Sequence, residues 1–239
     1  MNMKKLFLLL LAVLPAVLFA QDRVINDANA EARNTPSFHA IKVSTGIQLV
    51  IKQGNADAVA VSASDKETRD RIKTEVVDGV LKIYVETKLW GNGAFKYKNL
   101  KAYVSIRNMD TFNGASGAIT TIDGTLDFKE LDISLASGAR LTGEVKGGDL
   151  LVSQTSGGKM YLSGQVQSLS VHTSSGGAFY GYGLAAGKCD AEASSGGKME
   201  INITRELMAK ANSGGKIEYR GDGVITKMST GSGGTIRKS

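Results

Sequence analysis

Apolar and polar residues alternate along most of the chain after residue 110, and a Ser-Gly pair interrupts the alternation at regular intervals. Seven serines begin these pairs, 18 to 21 residues apart: Ser116, Ser137, Ser156, Ser175, Ser195, Ser213 and Ser232. Polar, apolar and polar side chains stand three, four and five residues after most of these serines, which is the period of a half-buried β-strand. A second strand pattern precedes the serine, as at Leu150/Val152 and Leu169/Val171.

This repeat predicts an all-β protein, a single-chain parallel β-solenoid with coils of about 19 residues. A propeller blade of four strands needs about 40 residues, whereas one coil of a solenoid fits the shorter unit. We predict that each coil holds two short strands joined by a Ser-Gly corner. A return loop, often marked by glycine, completes the coil at Gly124, Gly143, Gly164 and Gly221.

The phrases "TSGGK", "SSGGK" and "NSGGK" begin at residues 155, 194 and 212, and each could turn a corner or hold a phosphate. A phosphate loop would need a helix after the glycines, and a strand pattern follows them here. The glycines therefore predict a tight corner, where they permit positive φ angles. We expect the serines to form a stacked ladder of hydroxyls.

The chain before the repeats predicts export and one elongated domain. Residues 1–20 have the basic start, apolar run and small final residue of a signal peptide, so we expect a periplasmic, cell-surface or extracellular protein. No transmembrane segment is expected after cleavage. Residues 21–35 predict a flexible tail. Residues 36–239 predict one β domain, with an irregular β-rich part over 36–109 and the solenoid repeats over 110–239. Within the first part, "SDKETRDRIKTEV" predicts either one helical turn or an irregular excursion.

Composition and motif spacing argue against nucleic-acid binding, metal binding and catalysis. The formal net charge of +6 is not gathered into a basic stripe. Cys189 is the single cysteine, and its column of leucines predicts a buried side chain. His39 and His172 have no ligand spacing, and calcium-binding repeats are absent, so no metal or cofactor is expected. The acidic residues Glu200 and Glu218 follow lysines and predict paired charges on a solvated face, hence no enzyme.

Two sets of residues are candidates for ligand binding. Lys159, Tyr161 and Tyr180 are expected to face outward on adjacent rungs, where stacked tyrosines offer sugars a flat apolar surface with polar tips. Ordinary packing between rungs is the alternative. The segment "KLWGNGAFKYK" at 88–98 places Trp90 and Tyr97 among lysines. This segment could be a binding loop or a hydrophobic plug over the solenoid's end.

Four stretches carry a resemblance to a known family: "FHAIKVSTGIQLVIKQG", "VVDGVLKIYVET", "LKAYVSIRNMDTFNGASGA" and the "SSGGK" repeats. Over about residues 36–237 the chain resembles the putative auto-transporter adhesin family with a head GIN domain, which is widespread in Bacteroidetes. The resemblance implies a non-enzymatic adhesin that presents its solenoid face to a glycan or protein on a cell or matrix surface. One alternative is a structural envelope protein that self-associates through its solenoid ends, since an exposed rung is a template for pairing. The other alternative is a carbohydrate-active solenoid enzyme.

Overall fold

The computed structural model describes residues 27–86 and 99–239, and in these ranges the chain forms sixteen strands and one short helix. The first eight strands are β1 Glu31–Arg33, β2 Ala40–Val43, β3 Gln48–Gln53, β4 Ala58–Ser62, β5 Ile72–Val77, β6 Val80–Val85, β7 Lys101–Ile106 and β8 Thr111–Gly114. The others are β9 Ile119–Leu135, β10 Arg140–Gln154, β11 Lys159–Thr173, β12 Ala178–Ala193, β13 Lys198–Ala211, β14 Lys216–Arg220, β15 Val224–Thr230 and β16 Thr235–Lys238. The helix is α1 Lys66–Asp70.

The repeats form the predicted parallel β-solenoid. Each of β9 to β13 is one coil and pairs in parallel with the coils before and after it. The prediction of two strands separated by a return loop is wrong for these coils, because each runs as one bent strand of 14 to 17 residues. Pairing with neighbouring coils persists at the bend, as between Val145 and Gly164, so the main chain there stays in the sheet.

The seven Ser-Gly corners are stacked turns of one type. Their serines have φ of 45–51° and the glycines that follow have φ of 73–77°. Two consecutive residues with positive φ define a type I′ turn, which favours glycine at its second position. The corners stack through their main chains, since the amide of Gly138 donates to the carbonyl of Ser156 at 3.0 Å and the pattern repeats from coil to coil. The predicted ladder of hydroxyls is limited, within the described corners, to one contact between coils, in which Oγ of Ser174 donates to Oγ1 of Thr155 at 3.4 Å.

The second glycine of each "SGG" corner has a different cause from the first. A Cβ atom built on Gly196 would meet nothing within 4 Å, so its positive φ alone explains the glycine. A Cβ atom on Gly197 would lie 2.5 Å from the main-chain oxygen of Thr173 on the neighbouring coil. Corners of this form therefore need one glycine for conformation and another for close approach of two main chains.

The irregular N-terminal part belongs to the same hydrogen-bonded sheet. Strands β2 and β3 pair in parallel with β8 and β9 and are joined by a further corner at Thr45-Gly46, with φ of 62° and 67°. Three further strands add antiparallel pairs at the edges: β4 pairs with β7, β1 pairs with β4, and β5 pairs with β6. The expected helical turn is α1, capped by Asp65.

Residues 21–35 were expected to form a flexible tail, but part of this stretch is a strand in the described structure. Residues 31–33 form β1, which pairs antiparallel with β4. The two carboxylate oxygens of Glu31 contact Arg33 and Arg69 at 2.8 and 2.6 Å. Main-chain pairing with β4 and the ion pair between Glu31 and Arg69 hold this short segment against the domain.

A continuous apolar core fills the interior of the coils. In β12 the inward positions are small, with Cys189 only 4% exposed and alanines after it. Phe179 compensates from the other side of the same coil, since its ring occupies the space that a side chain on Gly181 would need. The predicted buried position of Cys189 is confirmed, and burial raises the pKa of its thiol far above the ordinary value.

Candidate binding face

Tyr161 and Tyr180 form a stacked pair on the outer surface of the solenoid. They occupy paired positions on β11 and β12, and the inward neighbours Met160 and Phe179 are fully buried. The alternation along each strand therefore turns both tyrosines outward. Their ring centroids lie 4.6 Å apart and the ring planes differ by 11°, which confirms that they face outward on adjacent rungs.

Two cations cover the remaining faces of this pair. The guanidinium carbon of Arg140 lies over the Tyr161 ring, 5.8 Å from its centroid, and Nζ of Lys198 lies over the Tyr180 ring at 5.4 Å. Ring faces attract cations in this arrangement. The flat apolar surface expected from the sequence is therefore occupied, and the tyrosines present their ring edges and hydroxyls to solvent instead.

We call Arg140, Lys159, Tyr161, Tyr180 and Lys198 the cation–tyrosine strip. It crosses four consecutive coils, β10 to β13, because the residues share neighbouring columns of the parallel register. Sequence reasoning placed Lys159, Tyr161 and Tyr180 on adjacent rungs but missed that Arg140 and Lys198 cap the tyrosines. The alternation of apolar and polar residues shows which side chains face outward, but it does not give the distances between the cations and the tyrosine rings.

The charges of the cation–tyrosine strip are only partly neutralised. Nζ of Lys198 donates to Oε1 of Glu200 at 2.7 Å, and this hydrogen bond raises the pKa of Lys198. Arg140 and Lys159 form no ion pair with another residue in the described ranges. Two exposed positive charges therefore flank the edges and hydroxyls of the tyrosines, and together they suit an anionic or strongly polar partner.

The acidic residues near the strip are paired with cations. Glu200 and Glu218 occupy paired positions on β13 and β14, but each accepts from its own cation. Glu200 pairs with Lys198, as expected, whereas Glu218 pairs with Arg237 of the next rung at 2.7 Å rather than with a lysine. Within residues 27–86 and 99–239, no cluster of three His, Cys, Asp or Glu side chains could hold a metal ion.

The other singled-out residues lie away from the strip or outside the described ranges. His172 is exposed on the strand section before the next corner, where its Nδ1 lies 3.7 Å from Oε2 of Glu192. Lys210 donates to Glu192 at 2.9 Å and lowers the pKa of that carboxyl. Trp90 and Tyr97 lie outside the described residues, so their place relative to the strip stays a prediction.

Sequence comparison identifies the family. Residues 37–223 match the family described as putative auto-transporter adhesin, head GIN domain. The chain belongs to this family. Membership covers the first corners, the cation–tyrosine strip and most of the stacked coils. Among curated proteins, none matches this sequence.

Three solved structures of similar fold come from species of Bacteroides and Parabacteroides. A putative adhesin from Bacteroides fragilis NCTC 9343 has a TM-score of 0.78 at 18% identity, with 88% of this chain and 96% of that chain covered. A putative adhesin from Parabacteroides merdae ATCC 43184 has a TM-score of 0.71 at 16% identity, over 88% and 95% of the two chains. A putative lipid binding protein from Parabacteroides distasonis ATCC 8503 has a TM-score of 0.65 at 22% identity, over 89% and 98%. At these identities the likeness concerns the fold.

In the part of the chain that the structure describes, no helix has both the length and the apolar character needed to cross a membrane.

Proposed function

We propose that this protein is a non-enzymatic, exported adhesin whose rigid solenoid surface binds a glycan or protein on a cell or matrix surface. An acidic glycan is the partner that the chemistry of the cation–tyrosine strip favours. Family membership supports the adhesin role, and the signal-peptide pattern of residues 1–20 supports export.

The observation that carries the proposal is the capped tyrosine stack. Stacked rings with a 4.6 Å separation are held by two hydrogen-bonded strands, so a partner meets a surface that needs little ordering on binding. Tyrosine hydroxyls and ring edges can bond sugar hydroxyls, while Arg140 and Lys159 attract carboxylate or sulfate groups. Cations that already rest on the rings fix these polar groups at one spacing.

The test is binding of the purified protein to an array of glycans and matrix proteins. The double variant Tyr161→Ala/Tyr180→Ala removes the stack. Tyr84→Ala is a matched control, because Tyr84 lies on β6 in the N-terminal part and its hydroxyl bonds Glu75. Trp90→Ala tests the aromatic segment at 88–98 in parallel.

Binding to acidic glycans that is lost in the double variant and kept in Tyr84→Ala would support the proposal. Raising the salt concentration should weaken that binding, because exposed charges are screened. Loss only in Trp90→Ala would move the site to the aromatic segment. A blank array, or binding that all variants retain, would reject the strip as the adhesive surface.

A second candidate function is structural self-association in the envelope, and exposed apolar side chains on β15 favour it. Val224, Ile225 and Met228 are 67%, 41% and 42% exposed. Sedimentation equilibrium would detect self-association, and Ile225→Lys should abolish it. Leu151→Lys is the matched control, since Leu151 is 40% exposed on another part of the solenoid. A monomer at all concentrations would exclude this function.

A further inference from the structure

A groove runs along the solenoid at the bend in the coils, away from the cation–tyrosine strip. Its volume is about 890 Å³, and its walls come from five consecutive coils, β9 to β13. Neighbouring coils are spaced by about 4.8 Å, so four steps give a groove about 19 Å long. It has no motif in the sequence, because the residues of the bend do not repeat from coil to coil.

The strand register explains the shape of the groove. One column of outward positions contains Asp127, Lys146, Gln165 and Ala185, and the other contains Lys129, Gly148 and Gln167, with Gly187 and Arg205 beyond. Phe128, Gly147 and Val166 lie between the two columns and also line the groove, and the side chain of Val166 is buried. A Cβ atom on Gly148 would lie 2.3 Å from the main-chain oxygen of Lys129. Glycine there permits the close approach of two neighbouring coils.

Polar side chains along the groove have unused hydrogen-bonding capacity. Gln165 and Gln167 are exposed on β11 at the centre of the groove, and their amides bond no other residue in the described ranges. Lys129 and Lys146 likewise form no ion pair with a described residue. The walls also carry Arg205 and two carboxylates, so opposite charges are interspersed, unlike in the cation–tyrosine strip.

We propose that this groove is a second binding site, for an uncharged, extended oligosaccharide that lies along the solenoid axis. Glutamine amides both donate and accept, as sugar hydroxyls do, so each side chain can hold a hydroxyl from both directions. The groove is linear and crosses five coils, so an extended sugar chain along the solenoid axis would pass side chains of successive coils. The mixed charges favour no single sign of ligand. This site is independent of the adhesive role proposed for the strip.

Isothermal titration calorimetry with neutral linear oligosaccharides tests the groove. The probes are β-1,4-linked glucose and N-acetylglucosamine oligomers, from the disaccharide to the hexasaccharide. Affinity should rise with each added sugar and level off near the pentasaccharide, when the groove is filled. The variant Gln165→Ala/Gln167→Ala should weaken binding by about tenfold or more, from roughly two- to tenfold for each lost hydrogen bond. Gln48→Ala is the matched control, because Gln48 is also exposed on a strand but lies outside the groove.

The outcomes separate this site from the cation–tyrosine strip. Length-dependent binding that is lost in the glutamine double variant, and kept in Gln48→Ala and Tyr161→Ala/Tyr180→Ala, would support the groove. Loss in the tyrosine variant instead would place the sugar on the strip, which overturns the groove and keeps the adhesive role. No binding by any oligomer, affinity that ignores chain length, or full binding by the glutamine variant would each overturn the inference. Amide chemical-shift changes at Gly147 and Gly187 would locate bound sugar directly.

Discussion

The two glycines of one corner should respond very differently to the same substitution. Gly196→Ala introduces a methyl group into open space but forces a positive φ of 75° on alanine. That strain costs about 1–2 kcal/mol, and the stiffer unfolded chain offsets about 0.4–1 kcal/mol of it. The expected net loss is about 1 kcal/mol. Gly197→Ala places the methyl group 2.5 Å from the oxygen, 2.6 Å from Oγ1 and 2.7 Å from the carbonyl carbon of Thr173.

Two of these three atoms belong to main chain that is fixed by pairing with both neighbouring coils. Overpacking of a site that cannot relax costs about 3 kcal/mol. The stiffer unfolded chain offsets both variants equally, so their free energies of unfolding should differ by about 1–2 kcal/mol. Urea unfolding followed by far-ultraviolet circular dichroism measures that difference. Alanine already occupies the corresponding place in the first two corners, at Ala118 and Ala139, so the clash belongs to the later corners. Equal losses for Gly196→Ala and Gly197→Ala would refute the close-approach explanation.

Three other predictions concern buried polar groups. Gln154 is fully buried and neither side-chain atom has a hydrogen-bond partner, so Gln154→Met should raise the free energy of unfolding by about 1–2 kcal/mol in urea titrations; a loss would contradict this. Burial raises the pKa of Asp57, but hydrogen bonds from Arg107 more than offset it and leave that pKa lowered. The pair therefore stabilises the protein above about pH 4 and less as the pH falls. Arg107→Met should lower the free energy of unfolding at neutral pH, and the loss should shrink in acid as Asp57 is protonated; a loss unchanged between neutral and acid unfolding titrations would contradict the pairing. A chromogenic thiol reagent should label Cys189 only after unfolding, since the native thiol is buried; fast native labelling would show that the core opens.

Much of the fold could be predicted because the same sequence pattern occurs in every coil. Each corner has the same Ser-Gly pair, and the strands share the same alternation of apolar and polar residues. Aligning the repeats on the serine therefore gives the coil length and the columns of inward-facing residues. The Thr45-Gly46 corner was missed since it begins with threonine instead of serine and lies outside the regular spacing. The continuous bent strands were missed because a glycine such as Gly164 suggests a loop, whereas pairing on both sides keeps it in the sheet.

The candidate sites were less accessible to sequence reasoning than the fold. Outward positions of Tyr161 and Tyr180 follow from alternation, but the approach of Arg140 and Lys198 depends on side-chain rotamers. The groove depends on which residues meet at a bend without a motif, and small residues such as Gly148 leave no pattern of their own. Repetition therefore predicts the scaffold, while binding surfaces arise where neighbouring coils differ.

The stacked corners make the length of this protein adjustable in whole coils. Each coil contacts mainly the coils beside it, so stability is a sum of local interfaces rather than a property of one closed core. Duplicating the stretch from Ser156 to Ser174 would insert a coil that begins and ends at equivalent corners, adding about 4.8 Å of surface. Such an insertion would lengthen the solenoid without changing the fold of each coil. The number of coils therefore sets the distance between two ligands that bind at opposite ends of the solenoid.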